Sequence, residues 1–376
     1  MKNLIKMFDT IILVIQIDKS HIIAPSKFMP SAEGIFESGN WYSKCVQYAN
    51  VANGGKEAYR PRLTLYRRSY DVFLKVEFSA PKLVFGDNLN ELRESDFPQV
   101  LMKLQTALIA MGVRLPLGLL VNAPVSAFHP SKNIPLTQGY TAIFAIRELA
   151  KIDVSQKFDL DYKQYRNGGE SLQIYSASNS LVFYDKINDI TKPAKRAIDR
   201  QQSAIQTSLF DALNKIKPPL EILRMELRLS QKRKLNQVFE ELVLNKNPTF
   251  KEIFNKEICQ KLLLHYWLKF FDDNLFLFGA TNNPQKYLQA ILAKYPRIGI
   301  DKAIKITSFL MLCKDEAGMQ GFRLVAQNYR PKTNWTKLKN WLDNLVDITD
   351  LFPLHGFIGD IQRELKEFKP YRVKSP

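Results

Sequence analysis

Long apolar runs are missing from this chain: no segment approaches the roughly 18 to 20 residues that a bilayer-spanning helix needs, so a soluble, cytoplasmic protein is expected. Cysteine is scarce as well. Cys45, Cys259 and Cys313 are odd in number and far apart, which suits neither a disulfide framework nor a zinc knuckle and points to a reducing compartment. No internal repeat, low-complexity tract or Gly-rich phosphate loop appears. The stretch from Met1 to Ile17 has lysines before an apolar run, as a signal peptide does, but Asp9 interrupts it and no small-residue cleavage site follows. Ile11 to Ile17 reads better as a buried first strand.

What the chain has is positive charge. Fifty-four Lys and Arg stand against 37 Asp and Glu, a net +17, which is the usual electrostatic footprint of a polyanion binder and makes nucleic acid the default partner. With 376 residues, 45 % of them hydrophobic, there is material for a sizeable core in two domains or one elaborated domain.

The texture changes once along the chain. Strand-like runs dominate at first: Thr10 to Ile17, Arg62 to Arg67, Val72 to Phe78, Leu119 to His129, Leu172 to Tyr175, Leu181 to Tyr184 and Ile222 to Leu229. Helical stretches at Pro98 to Met111, Thr141 to Ile152 and Lys195 to Lys215 interrupt them. Beyond Gln237 the periodicity is nearly all helical, at Phe250 to Phe271, Asn283 to Tyr295, Asp301 to Cys313, Glu316 to Gln327 and Trp335 to Val346. The expected fold is α+β. A domain over 8–236 would hold a central, mainly antiparallel sheet with flanking helices, and a helical domain over 237–376 would follow, with a DNA-binding role open to it. Asp301 to Cys313 and Glu316 to Gln327 read either as a helix-turn-helix or as two packed core helices. Trp267, Phe270 and Phe271 read as core.

Candidate chemistry gathers in the first domain. Leu181-Val182-Phe183-Tyr184-Asp185-Lys186 ends a β-pattern on a tyrosine, and Leu223-Arg224-Met225-Glu226-Leu227-Arg228-Leu229 alternates strictly, aiming Arg224, Glu226 and Arg228 at one face. A phenol with a pKa of about 10 needs a metal or a cation to act as a nucleophile on a phosphodiester. Ligands for such a metal are available from Lys75-Val76-Glu77-Phe78-Ser79, from Val125-Ser126-Ala127-Phe128-His129, from Glu226 and from Asp153. The second of these strands is expected to end at His129, because Pro130 cannot continue an interior ladder. Lys186 to Lys234 holds twelve Lys and Arg against five acidic residues. Tyr162 and Tyr165, in loop-like surroundings, offer a second candidate nucleophile.

In their order and spacing, Val76 to Leu83 with Gly86-Asp87-Asn88, Val125 to His129, Phe183 to Lys186 and Leu223 to Arg228 resemble the blocks of the phage and plasmid replication proteins of the gene II/X family, rolling-circle initiators. The resemblance covers roughly Phe8 to Asn236. It implies a metal-dependent endonuclease that nicks one strand at a replication origin, forms a 5′-phosphotyrosine link through Tyr184, leaves a 3′ hydroxyl and later rejoins the strand. Glu77 and Glu226 take the family's acidic metal positions, and His129 stands where phage members place an aspartate; the implied cofactor is Mg²⁺ or Mn²⁺, with the softer histidine ligand shifting the balance toward Mn²⁺. Asp153 is the alternative third ligand, and Asp87, which replaces the histidine of a Gly-His-Asn triplet, is a further alternative ligand. The chain lacks the His-hydrophobic-His pair of other initiators and relaxases.

Under this resemblance Lys186 assists the phenol or holds the phosphate, Arg224 and Arg228 clamp neighbouring phosphates, and Lys192, Lys195, Arg196, Lys232 and Arg233 add salt-sensitive DNA affinity. Partners would be origin DNA, host helicase and polymerase, with a homodimer as one arrangement for two transfers. The alternatives are a non-catalytic origin-binding regulator and a tyrosine strand transferase of the relaxase or transposase kind.

Overall fold

Strict alternation gives Ile222–Leu229 two unlike sides: Leu223, Met225, Leu227 and Leu229 are wholly buried on one, and Arg224, Glu226 and Arg228 lie on the other. The computed structural model describes residues 8–37, 44–47, 59–154, 162–166, 170–191, 220–330 and 351–372. In it, this strand is β9 of a nine-stranded sheet. The others are β1 (Phe8–Ile17), β2 (Lys44–Gln47), β3 (Arg62–Arg68), β4 (Asp71–Ser79), β5 (Val125–Pro135), β6 (Tyr162–Arg166), β7 (Ser171–Tyr175) and β8 (Asn179–Asp185). Their order is β2-β3-β4-β1-β5-β9-β8-β7-β6. Every pairing is antiparallel. The fold is α+β.

Three expectations fail within the sheet. Leu119 to His129 is not one strand: the short helix Leu117–Val121 comes first, and β5 starts at Val125. Nor does β5 stop at Pro130. It continues to Pro135 between β1 and β9, because the register against β1 shifts between Phe8 and Ile11 and the proline sits beside that irregularity, where the ladder is already interrupted. Tyr162 and Tyr165, taken for loop, lie on β6.

Helices cover the apolar side. The helix Lys256–Phe271 buries Trp267, Phe270 and Phe271, and Phe271 meets Phe183 of β8 edge to face at 5.4 Å. These aromatics are core. Further helices are Pro284–Lys294, Ile300–Lys314, Gly318–Tyr329 and Gly356–Glu367. Ile300–Lys314 and Gly318–Tyr329 pack on each other through Phe309 and Phe322. The main hydrophobic cluster runs from Phe8 to Phe368, and Asn236 and Gln237 both lie inside the helix Lys232–Glu241. The expected helices at Lys195 to Lys215 and Trp335 to Val346 lie outside the described residues.

Candidate active site

The polar side of the sheet brings together residues from five adjacent strands. On β8, Tyr184 stands opposite Arg224 of β9, and its ring leans diagonally so that the hydroxyl donates to Glu226 Oε2 at 3.0 Å. Glu226 Oε1 accepts from Arg228 Nε at 2.7 Å and lies 3.9 Å from His129 Nδ1. From β4, Glu77 faces the same cluster and acts electrostatically on His129, although its nearest partner is Lys75 at 3.4 Å. Tyrosine, glutamate and histidine are therefore neighbours, as the sequence implied.

Asp9 of β1 is the member that sequence reasoning missed. It interrupted an apolar run and was read only as that. In the fold it is buried, accepts from Ser79 Oγ at 2.6 Å and from Asn88 Nδ2 at 3.2 Å, and pairs with Arg224 at 3.3 Å. The usable signal was a carboxylate inside a strand whose neighbours, Phe8 and Ile11, both point to the core.

Arg224 is not placed to clamp DNA. It is 2 % exposed, and its two NH groups donate to Asn88 O (2.7 Å), Asn133 Oδ1 (3.3 Å) and Ser131 Oγ (2.7 Å). Its guanidinium fork is spent on holding β5, β1 and the 86–92 loop around the tyrosine. Arg228 has 36 % of its side chain exposed, and Lys232 and Arg233, also exposed, open the helix that follows β9. Lys192, Lys195 and Arg196 lie outside the described residues.

Lys186 does not extend β8: the strand ends at Asp185 and a helix, Lys186–Thr191, begins. The turn nevertheless leaves its Nζ 5.6 Å from the centre of the Tyr184 ring, fully buried, bonded to Asn88 Oδ1 at 2.8 Å and to Asp189 at 3.2 Å. The two alternative ligands are occupied elsewhere. Asp153 pairs with Arg323 of the helical region at 2.8 Å, and Asp87 accepts from the backbone N–H groups of Leu89 and Asn90, fixing the turn that Gly86 enters at φ +80°.

Charge decides how the cluster titrates. Burial pushes the Tyr184 phenol well above its usual range; Arg224 opposes this, while Glu226, Asp189 and Asp9 add to it. Burial by itself would raise Glu226 too, but Arg228 and Arg224 outweigh it and hold the carboxyl below its usual value. Asp9 is likewise held low against burial, by Arg224 and Lys186. Burial lowers both His129 and Lys186, with Glu226 and Asp189 respectively opposing. A neutral phenol thus donates to an ionised carboxylate, and a neutral imidazole stands beside them.

Among the described residues, no three His, Cys, Asp or Glu side chains lie close enough together to hold a metal ion. The expected trio of Glu77, His129 and Glu226 is drawn apart because Arg228 holds Glu226 and Lys75 holds Glu77. One feature favours a ligand. His129 Nε2 is buried and makes no hydrogen bond among the described residues, an uncommon state for a ring nitrogen. No family model, curated protein or solved structure matches this chain. No helix among the described residues is long and apolar enough to cross a membrane.

Proposed function

We propose that this chain cuts and rejoins one strand of DNA through Tyr184, as a rolling-circle replication initiator does. The observation that carries the reading is the bond from the Tyr184 hydroxyl to Glu226, a buried carboxylate kept ionised by arginines. A raised phenol pKa makes free phenolate rare at neutral pH, so attack on phosphorus requires a proton acceptor at the hydroxyl. Glu226 Oε2 is that acceptor. As the bond from Tyr184 Oη to phosphorus forms, the P–O3′ bond breaks, the phenol proton passes to Glu226, and the departing 3′ oxygen takes a proton from solvent. The reverse transfer, from a 3′ hydroxyl onto the phosphotyrosine, restores the strand without ATP.

The partly exposed Arg228 is the cation available to a non-bridging phosphate oxygen, and Lys232 and Arg233 supply attraction to neighbouring phosphates. His129, Glu226 Oε1 and Glu77 would hold a divalent cation, Mg²⁺ or Mn²⁺, only once the two carboxylates part from Arg228 and Lys75; His129 Nε2, which makes no hydrogen bond among the described residues, is the donor already free for it. When bound, such an ion supplies Lewis-acid polarisation of the scissile phosphate. The test is incubation of purified protein with supercoiled DNA of the replicon that encodes it, with Mg²⁺ or Mn²⁺. Nicked circles carrying protein on the 5′ end support the reading. Intact supercoils bound by the protein overturn it in favour of a non-catalytic origin-binding regulator.

A further inference from the structure

The C-terminal end of the described chain returns to the site from the far end of the sequence. After the helix Gly356–Glu367, Phe368 adopts φ +50° and turns the chain toward the 86–96 loop. There Tyr371 N donates to Glu91 Oε2 at 2.6 Å, and Glu91 N donates to Tyr371 O at 3.0 Å. The Tyr371 ring packs with Leu89, Ile190 and Ile222, while Arg372 pairs with Asp96 at 2.9 Å and covers the Phe85 ring at 4.4 Å. Both the backbone and the side chains of this short segment are thus engaged with one loop.

Glu91, 5 % exposed, passes the connection on. Its Oε1 accepts from Asn133 N at 2.6 Å and its Oε2 from Lys132 Nζ at 3.2 Å, and Lys132 also pairs with Glu364 of the C-terminal helix at 3.1 Å. Asn133 ties back to Leu89 O at 2.7 Å. Within the same loop, Asn88 touches the surroundings of Tyr184 three times: Nδ2 donates to Asp9, Oδ1 accepts from Lys186, and its carbonyl accepts from Arg224. Three hydrogen bonds, Tyr371 to Glu91, Glu91 to Asn133 and Asn133 to Arg224, lead from the Tyr371 segment to one of the charged groups around the tyrosine, and Asn88 of the same loop bonds all three of those groups.

We propose that Phe368–Arg372 is a strap that positions Asn88 through Glu91, so that the charges around Tyr184 take their places only when the C-terminal end is docked. Glu91 and Tyr371 are positioning residues. The catalytic part of this inference rests on the reading of Tyr184 as a nucleophile; the docking part does not. A contiguous set of bonds shows a route but not a coupling, so the test must measure coupling.

Five variants serve: a chain ended after Lys369, Tyr371→Pro, which removes the N–H donor, Tyr371→Phe, which keeps backbone and ring, Glu91→Gln, and Tyr371→Pro combined with Glu91→Gln. Hydrogen exchange is followed at the amides of Leu89, Asn90 and Asn133. DNA affinity and the single-turnover rate of phosphotyrosine formation are measured alongside. The truncated and Tyr371→Pro proteins are expected to lose protection at those amides, to bind DNA within about twofold of the parent, and to form adduct roughly ten- to a hundredfold more slowly, the scale of loss that small misplacements cause. Tyr371→Phe should match the parent, and Tyr371→Pro with Glu91→Gln should be no slower than the worse single variant. Unchanged exchange in the truncated protein overturns the inference, as does parallel loss of DNA binding and adduct formation. If the parent itself forms no adduct, the strand-transfer reading fails, and exchange still decides the strap: lost protection at the 89–91 loop upholds it, and full protection ends it.

Discussion

On one side of β9, Leu223, Met225, Leu227 and Leu229 meet aliphatic and aromatic neighbours; on the other, Arg224 and Glu226, buried to 2 % and 3 %, meet Asp9, Ser131, Asn133 and Tyr184. At these two positions water is excluded almost as fully as on the apolar side. Each apolar side chain contributes about 1.5–3 kcal/mol through non-directional burial, and many shapes of similar volume would serve as well. The ionic side is less forgiving, since each buried charge must first recover several kcal/mol of lost hydration. A sheet selected for stability alone would do as well with hydrocarbon on both sides. That it carries Arg224, Glu226 and Asp9 instead is consistent with a side that holds charges for use.

The comparison breaks most sharply at Tyr184. Tyr184→Phe removes one hydroxyl and its hydrogen bond to an ionised carboxylate, so the fold should lose about 1.5–3 kcal/mol while covalent attachment to DNA disappears altogether; gel detection of the adduct together with a melting curve checks both. Residual attachment would move the nucleophile elsewhere. Next comes a pair of adjacent substitutions on opposite sides of the strand. Met225→Leu should cost less than about 1.5 kcal/mol. Arg224→Met should cost about 3–5 kcal/mol, because it strands Asp9 without its closest cation and leaves Ser131 and Asn133 unsatisfied. Urea titration compares them, and equal losses would mean that the ionic side is no more demanding than the core.

A smaller effect is read through pH. The carboxyl of Glu226 is held below its ordinary value near 4.5, so its charged form favours the fold. That contribution is fully present above the ordinary value and is lost as pH falls through the lower, folded one. Glu226→Gln has no such carboxyl. The gap in melting temperature between parent and variant should therefore be widest above about pH 5 and should narrow on acidification; a gap that widens in acid would reverse the assigned direction.

The apolar side was the easier to read in the sequence. Strict alternation in Leu223 to Leu229 fixes which residues face the core whatever the tertiary context, and the strand spans at β1, β3, β4, β7 and β8 follow from similar local patterns. The ionic side was legible only where a charged residue sat in such a pattern, as Glu226 and Arg228 do. Asp9 had the same signal, but was judged by the hydrophobic run that it broke. Pro130 misled because a proline ends an interior ladder unless the register slips beside it, and that slip is a property of the partner strand. Glu91 and Lys132 left no local trace: they are 41 residues apart, and their meeting depends on how the loop folds over β5.

The smallest expected effect separates the residues that make the site from those that shape its border. Asp87, one of the two alternative ligands, spends its carboxylate on its own loop. Its Oδ1 accepts from Leu89 N at 2.8 Å and Asn90 N at 2.9 Å, and its Oδ2 from Asn90 Nδ2 at 3.1 Å. An amide oxygen accepts the two backbone bonds as well as a carboxylate oxygen does, and Asn is at home in this turn. Asp87→Asn should thus change stability by no more than about 0.5–1 kcal/mol, should bind Mn²⁺ as the parent does, and should form adduct at the parental rate. Asp87→Ala, which removes the acceptor, should loosen the turn that presents Asn88 and slow the adduct while leaving Mn²⁺ binding intact. Loss of Mn²⁺ binding in the Asn variant would instead make Asp87 a ligand, and would move the ionic side of the sheet one loop further than its hydrogen bonds extend.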